Sequence, residues 1–492
     1  MIRNFDAIII GGGAVGCAIA YRLSRYDLKI ALLERNLDVC MGTSGKNSGV
    51  VHAGFNNRTG SLMAEFCVDG NKRFEQICRT LDVPYKKTGK LVVALDESDL
   101  PIIDELLKTG ERNGCVGLSK VGRAEMDMMD PYVRGLAALH SSNTAIVNPF
   151  LYTIHLAQAA HQNGVEFFPG SEVTAIERAV ASAGVSAGAR FNVYCGEVVY
   201  KCDILINSAG LYSDKVAAMA GDTQYRIYPS RGEYFVLDKQ ATEITGRPVY
   251  PVPRKGAGGL GVHLTPTTDG NMLIGPSAEY VSNCEEYAST RVMMDNLFAE
   301  ARELLPELSR DMIIGAYTGI RSKTVPPGSE SFGDFIIDES TKSPGMINLV
   351  GIESPGLTAS MPIAERVCLM LDARFGLKEK DDWKAQYKGN PVFRLLDINE
   401  QSKLIRENPD YGEIVCRCES VTKAEVINAL NNPLGATSLV SIKNRARTMM
   451  GRCQGGYCYS NLVDVLRNDF DINARDICFR SKGDHPFFGS VK

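Results

Sequence analysis

A mixed α/β architecture is what three features of this sequence predict. It would be a Rossmann-like nucleotide domain interleaved with a sheet-rich α+β domain, followed by a small helical C-terminal domain. A G-x-G-x-x-G turn, Gly11, Gly13 and Gly16, stands between a short apolar run and a helix-like segment. Strand-like and helix-like segments then alternate, and two later apolar runs again lead into glycines. Four cysteines gather near the C-terminus as C-x-C and C-x4-C.

The opening reads as strand over 6–10, turn over 11–16, helix over 18–24 and strand over 29–34. Such a βαβ unit implies a parallel sheet with a right-handed crossover. The first glycine permits the tight turn, the second lets backbone approach a pyrophosphate, and the third lets helix and strand pack closely. The helix start offers free N–H groups and a positive dipole end to phosphate. Glu34 closes the second strand, where an acid can bind ribose hydroxyls. The motif by itself leaves FAD and NAD open.

Apolar residues at three- and four-residue spacing predict helices over 61–81 and 151–162. Strands are expected at 91–95, 173–177, 191–194, 204–206, 234–237, 272–274 and 348–351. After Asp372 the character changes, and the charged stretch 379–406 reads as a solvated linker or surface helix.

The 492 residues allow two to four domains, and a 44% hydrophobic content supports large cores. A net charge of −4 argues against a nucleic-acid groove or a polybasic membrane anchor. No run reaches the roughly 18 apolar residues of a spanning helix. The first apolar run follows Asp6 and enters glycines, so it reads as a buried strand and not a signal peptide. The expected location is cytoplasmic, with peripheral membrane contact left open. Ten of the 14 cysteines are scattered and read as small buried apolar residues.

The segment Gly42-Thr43-Ser44-Gly45-Lys46-Asn47-Ser48-Gly49-Val50-Val51-His52-Ala53-Gly54 reads as a loop packed against a ligand. With the glycine turn, it resembles the D-amino-acid-oxidase and glycine-oxidase-like superfamily of FAD enzymes. The closer resemblance is to L-2-hydroxyglutarate dehydrogenases and oxidases, through Ser61-Leu62, Ala64, Cys67-Val68 and Gly70. Segments 89–94, 207–214, 231–234, 250–253, 261–266, 273–276 and 353–358 continue it in order, over roughly residues 1–370.

The resemblance implies FAD and oxidation of a C–H bond next to oxygen or nitrogen. Expected cofactor contacts are Gly11, Gly13, Ala14, Val15 and Gly16 in the turn, with Glu34 and Arg35 after the second strand. Thr43, Ser44, Asn47, Ser48 and Gly49 would contact it from the loop, and Val173, Ala209 and Gly210 from later segments. Gly356, Leu357 and Thr358 open a helix whose N–H groups would stabilise charge on reduced flavin. FAD-binding parts are then expected at 1–84, 146–225 and 316–375, and substrate-domain parts at 85–145 and 226–315. A linker at 376–410, a cluster domain at 411–475 and a tail at 476–492 would follow.

Hydride transfer to flavin calls for a base and an anion clamp. His52 and His263, in glycine-flanked segments that the resemblance places near the flavin, are the candidate bases, and Arg321, where the resemblance puts an arginine near the substrate, is the candidate clamp. Arg231, Glu233, Tyr234 and Tyr250 are further candidates for the wall. His140, His155, His161 and His485 are placed outside.

Cys416, Cys418, Cys453 and Cys458 suit either an iron–sulfur cluster or tetrahedral zinc. Their spacing, with the run 450–458, resembles the bacterioferritin-associated ferredoxin-like [2Fe-2S] domain. That domain also ends the large subunit of anaerobic glycerol-3-phosphate dehydrogenases. Helices are expected at 423–430 and 461–467. The leading expectation is an FAD-dependent dehydrogenase oxidising a small 2-hydroxy acid such as L-2-hydroxyglutarate, its electrons leaving through a [2Fe-2S] cluster. Glycerol 3-phosphate is the second substrate, with Arg254 and Lys255 as added cations. An amine or amino acid, or a role as the electron-transfer subunit of a larger complex, completes the set. A protein electron acceptor or partner subunit and a homo-oligomer are the expected partners; nucleic acid is not.

Overall fold

The computed structural model of the chain describes residues 1–178, 190–253, 261–329, 333–487 and 489. Its centre is a six-stranded sheet. In order these are Glu166–Pro169, Ile30–Glu34, Ala7–Ile10, Ile204–Asn207, Met346–Val350 and Ile336–Glu339. All neighbours pair parallel except the last strand, which runs antiparallel. The strands Ala7–Ile10, Ile204–Asn207 and Met346–Val350 are buried throughout. Unbroken apolar runs are what strands covered on both faces require.

Helix Ala14–Leu23 packs beside Gly356–Phe375 and Pro149–Gln162 on this sheet. Pro149–Gln162 starts where the Asn148 side chain accepts from Leu151 N–H and a proline fills the first turn. Helix Leu62–Thr80 is capped by Ser61, whose Oγ accepts from Ala64 N–H at 3.1 Å. These caps satisfy N–H groups that a helix leaves unpaired at its start.

A nine-stranded sheet stands apart from the first, built around Tyr228–Leu237, Val249–Pro251, Lys90–Ala94 and Ala137–Ser141. The long strand Ile313–Lys323 pairs antiparallel with Tyr228–Leu237, and among the described residues only Val249–Pro251 and Lys90–Ala94 pair parallel within this sheet. Its core, including Leu91, Leu237 and Leu264, is separate from that of the first sheet.

The charged stretch after 379 is not a solvated linker along its whole length. Trp383 packs against Tyr21, and its Nε1–H donates to Ser24 Oγ at 3.1 Å. Tyr387 Oη–H donates to Gln158 at 2.9 Å, and Tyr21 Oη–H to the Ala385 carbonyl at 2.7 Å. Two aromatic residues among many charges suffice to lay this strap on the first domain. Helix Ile398–Glu407, with no buried residue, is the surface helix the sequence suggests.

The C-terminal part has its own core. It holds helices Lys423–Leu430, Leu439–Ala446 and Cys458–Asn468 and a short hairpin, Ile414–Cys416 with Val421–Thr422. Leu439–Ala446 was not expected from the sequence. It carries Arg445 to Asp38, which lies just beyond the second parallel strand. Among the described residues no helix is long and apolar enough to cross a membrane.

Candidate active site

A cavity of about 940 Å³ runs from the glycine turn to the inner face of the nine-stranded sheet. At the turn, Gly11 has φ +106°, and a Cβ there would meet the Ser208 carbonyl at 2.5 Å. Glu34 is half-buried beside it. It accepts from Gly12 N–H at 2.7 Å and from both Asn36 N–H groups, while burial pushes its carboxyl upward. Arg35 is held at the same end by Glu285 at 2.8 Å.

Thr43, Ser44, Asn47 and Ser48 line the middle, with Val173, Ala209 and Gly210. Ala14 N–H donates to Ser44 Oγ at 2.8 Å, which ties the loop to the helix start. Gly13, Ala14, Val15, Gly356 and Leu357 also reach the cavity. Three expected contact residues lie one layer behind it. Gly16 lets the helix close on the turn, since a Cβ would fall 2.0 Å from the Gly11 carbonyl. Gly49 turns the loop onto the Val147 carbonyl with φ +66°. Thr358 is fully buried, and its hydroxyl accepts from His52 N–H at 3.0 Å. A cradle of backbone at the glycine turn and a cavity this long fit an extended dinucleotide such as FAD.

The structure brings His52, His263 and Arg321 to the far end. His263 stacks face to face on Tyr250, ring centroids 3.5 Å apart. Burial, with Lys90 nearby, lowers His52 to about 3, so its imidazole is uncharged at neutral pH. Arg321 Nη2–H donates to the Ser277 carbonyl at 3.1 Å beside Tyr234. Two expected wall residues are elsewhere. Arg231 is enclosed by Glu233, Glu279 and Glu286 at 3.5, 2.5 and 3.2 Å. Glu233 instead caps the helix start at Thr290, accepting from its N–H at 2.7 Å. Tyr234 and Tyr250 do line the cavity. Arg254 and Lys255 lie outside the described residues.

Sequence reasoning gave no role to two lysines found here. Lys323 pairs with Glu353 at 3.2 Å, both largely buried. Lys90 lines the cavity with no carboxylate partner among the described residues. A lysine opening an apolar strand, Lys90-Leu91-Val92-Val93-Ala94, was the available signal.

The four C-terminal cysteines come together as two pairs whose thiols perturb each other's titration, Cys416 with Cys458 and Cys418 with Cys453. The neighbouring Cys458 thiol holds Cys416 down to about 6, and the backbone N–H groups of Glu419 and Met449 lower it as well. Tyr457 and Gly455 N–H groups do the same for Cys453. Among the described residues no three His, Cys, Asp or Glu side chains gather to hold a single ion. Two pairs wrapped in N–H donors suit a two-iron cluster with thiolate ligands. Cys416 and Cys458 are buried; Cys418 and Cys453 are exposed.

Comparison with known proteins agrees with this layout. Residues 6–370 match the family described as FAD dependent oxidoreductase, and 414–468 match the BFD-like [2Fe-2S] binding domain. A glycerol 3-phosphate dehydrogenase of Caloramator mitchellensis is 32% identical over 491 residues, covering 99% of both chains. A mitochondrial L-2-hydroxyglutarate dehydrogenase of Caenorhabditis elegans is 30% identical over 416 residues, covering 76% of this chain and 95% of its own. Among solved structures, dithionite-reduced L-α-glycerophosphate oxidase of Mycoplasma pneumoniae, with FAD bound, matches with TM-score 0.73 and 28% identity. That match covers 79% of this chain and 100% of the other. Glycine oxidase of Geobacillus kaustophilus, at 18% identity and TM-score 0.65 over 77% of this chain and 96% of its own, shares the fold.

Proposed function

The chain belongs to the FAD dependent oxidoreductase family and carries a BFD-like [2Fe-2S] binding domain, and on that premise we propose that it oxidises the secondary hydroxyl of glycerol 3-phosphate. The carrying observation is that likeness to a glycerol 3-phosphate dehydrogenase runs through the whole chain, cluster domain included. The hydroxyglutarate relatives cover only part of it. This reverses the order of the two substrates drawn from sequence segments alone.

Bound FAD supplies the hydride acceptor. The chain does the rest. Arg321 presents guanidinium N–H groups to an anionic oxygen at the substrate end of the cavity. His263, fixed by its Tyr250 stack, takes the hydroxyl proton. His52 is the poorer proton acceptor, because burial and Lys90 both disfavour its charged form. The start of helix Gly356–Phe375 lines the cavity, where the positive end of its dipole favours negative charge. The exposed thiol pair Cys418 and Cys453 supports electron exit to a protein acceptor.

L-2-hydroxyglutarate is the second reading, favoured by the 30% identity to the nematode enzyme. Anaerobic mixing of holoenzyme with each alcohol, followed by flavin absorbance, tests the choice. Rapid bleaching by glycerol 3-phosphate and none by L-2-hydroxyglutarate is expected. Bleaching by L-2-hydroxyglutarate alone would reverse the assignment.

A further inference from the structure

Lys90 opens the strand Lys90–Ala94 in the middle of the nine-stranded sheet and is 3% exposed. Three other buried cations, near the cavity and at the domain contact, have carboxylates. Lys323 has Glu353, Arg231 has three glutamates, and Arg445 has Asp38. Lys90 has none among the described residues. Its ammonium lies 4.1 Å from the Tyr250 ring centroid and 4.7 Å from that of Phe55.

The charged and titratable groups facing it come from three elements: His52, Cys67 on helix Leu62–Thr80, and Tyr250 on strand Val249–Pro251. None is an anion at neutral pH. Burial raises the Cys67 thiol and the Tyr250 phenol and keeps His52 uncharged. Among the described residues there is therefore no counter-charge for Lys90. A buried ammonium without one is costly, and two aromatic faces offset only part of that cost. What Lys90 does face is the cavity, whose wall it shares with His52, His263, Tyr250 and Arg321.

We propose that Lys90 is an anion-seating residue of the substrate subsite, a second cation beside Arg321 that receives an anionic oxygen of a doubly charged alcohol. The missing counter-charge then arrives with the ligand. Tyr250 links this role to the proton acceptor, since one ring both lies under the ammonium and stacks on His263. The inference rests on the reading of the substrate as an anionic alcohol. It adds that the substrate carries charge enough for two cations, as a phosphate monoester or a dicarboxylate does.

Inorganic phosphate is the direct probe. Holoenzyme, Lys90→Met and Lys90→Arg are titrated with phosphate while the flavin difference spectrum is followed. Glycerol 3-phosphate, L-2-hydroxyglutarate and uncharged glycerol are then titrated in flavin reduction. Lys90→Met should raise half-saturation by phosphate and by the anionic alcohol about tenfold or more. Lys90→Arg should restore it to within a few-fold. Glycerol, and the flavin reduction rate at saturation, should change far less. Unchanged half-saturation in Lys90→Met would overturn the proposal. So would a collapsed rate at saturation with unchanged half-saturation, which is the mark of a proton-transfer role. If Lys90→Met loses FAD, Lys90→Gln serves in its place with the same readings. If neither alcohol bleaches the wild-type flavin, the functional reading fails, while the phosphate titration still judges Lys90 by itself.

Discussion

Gln454 rests its side chain on the bare backbone of Gly315, where a Cβ would come within 2.9 Å of the Gln454 Oε1. Gln454 follows Cys453, one of the exposed thiols. Gly315 lies on the strand Ile313–Lys323, two residues from Tyr317. Tyr317 stacks on the cavity-lining Tyr234, centroids 4.6 Å apart and planes 8° from parallel. One strand thus touches both the cavity wall and the cysteine loop. Gly315→Val should displace the Gln454 side chain from this seat. Flavin reduction by substrate should be unchanged, and passage of electrons from flavin to cluster slowed several-fold in stopped-flow absorbance. Equal passage in both proteins would show the seat to be irrelevant.

Cys453→Ser should lose cluster absorbance and bound iron while keeping FAD and its reduction by substrate. The two centres are bound by separate cores, so loss of one should spare the other. Full iron content in this variant would remove Cys453 from the ligand set.

Arg321→Met should weaken binding of the anionic substrate by about 2 kcal/mol, on the order of thirtyfold in half-saturation, with a smaller effect on the rate at saturation. Saturation behaviour like that of the wild type would refute the clamp.

Arg445 and Asp38 form a two-bond pair across the contact between C-terminal part and first domain, with side chains 6% and 0% exposed. Arg445→Ala leaves the Asp38 carboxylate buried without its partner, a loss of about 3–5 kcal/mol. A clear fall in thermal midpoint is expected, together with faster proteolysis at the junction. Stability equal to wild type would mean the pair contributes nothing.

Burial lowers Lys90 to about 7 in the folded, ligand-free protein. Unfolded, it titrates near the usual value of about 10.4. Between these values the unfolded state holds the extra proton, so stability rises with pH across that window. The contribution amounts to at most about 1.4 kcal/mol per pH unit. Lys90→Met should flatten this slope and, at pH 7, stabilise the ligand-free protein by about 1 kcal/mol or more. Chemical denaturation at several pH values is the measurement, and a less stable variant would contradict the burial argument.

Several elements were legible because their signals are local. Gly11 must hold a positive φ and Gly16 must admit backbone at contact distance, so the residue type reports the conformation directly. The strands Ala7–Ile10 and Ile204–Asn207 announce burial on both faces by continuous apolar runs. The strap through Trp383 and the helix Leu439–Ala446 carry no such local signal. The first hides two aromatics in a charged stretch, and the second is only eight residues long.

The sequence by itself determined the dinucleotide turn and the cysteine spacing. Each follows from backbone sterics or donor chemistry within a few residues. Only the tertiary structure decided which charges meet. It sent Arg231 among glutamates from later segments, gave Lys323 a partner, and left Lys90 facing the cavity without a carboxylate partner among the described residues. Those outcomes depend on contacts between segments tens to hundreds of residues apart, and no local periodicity records them.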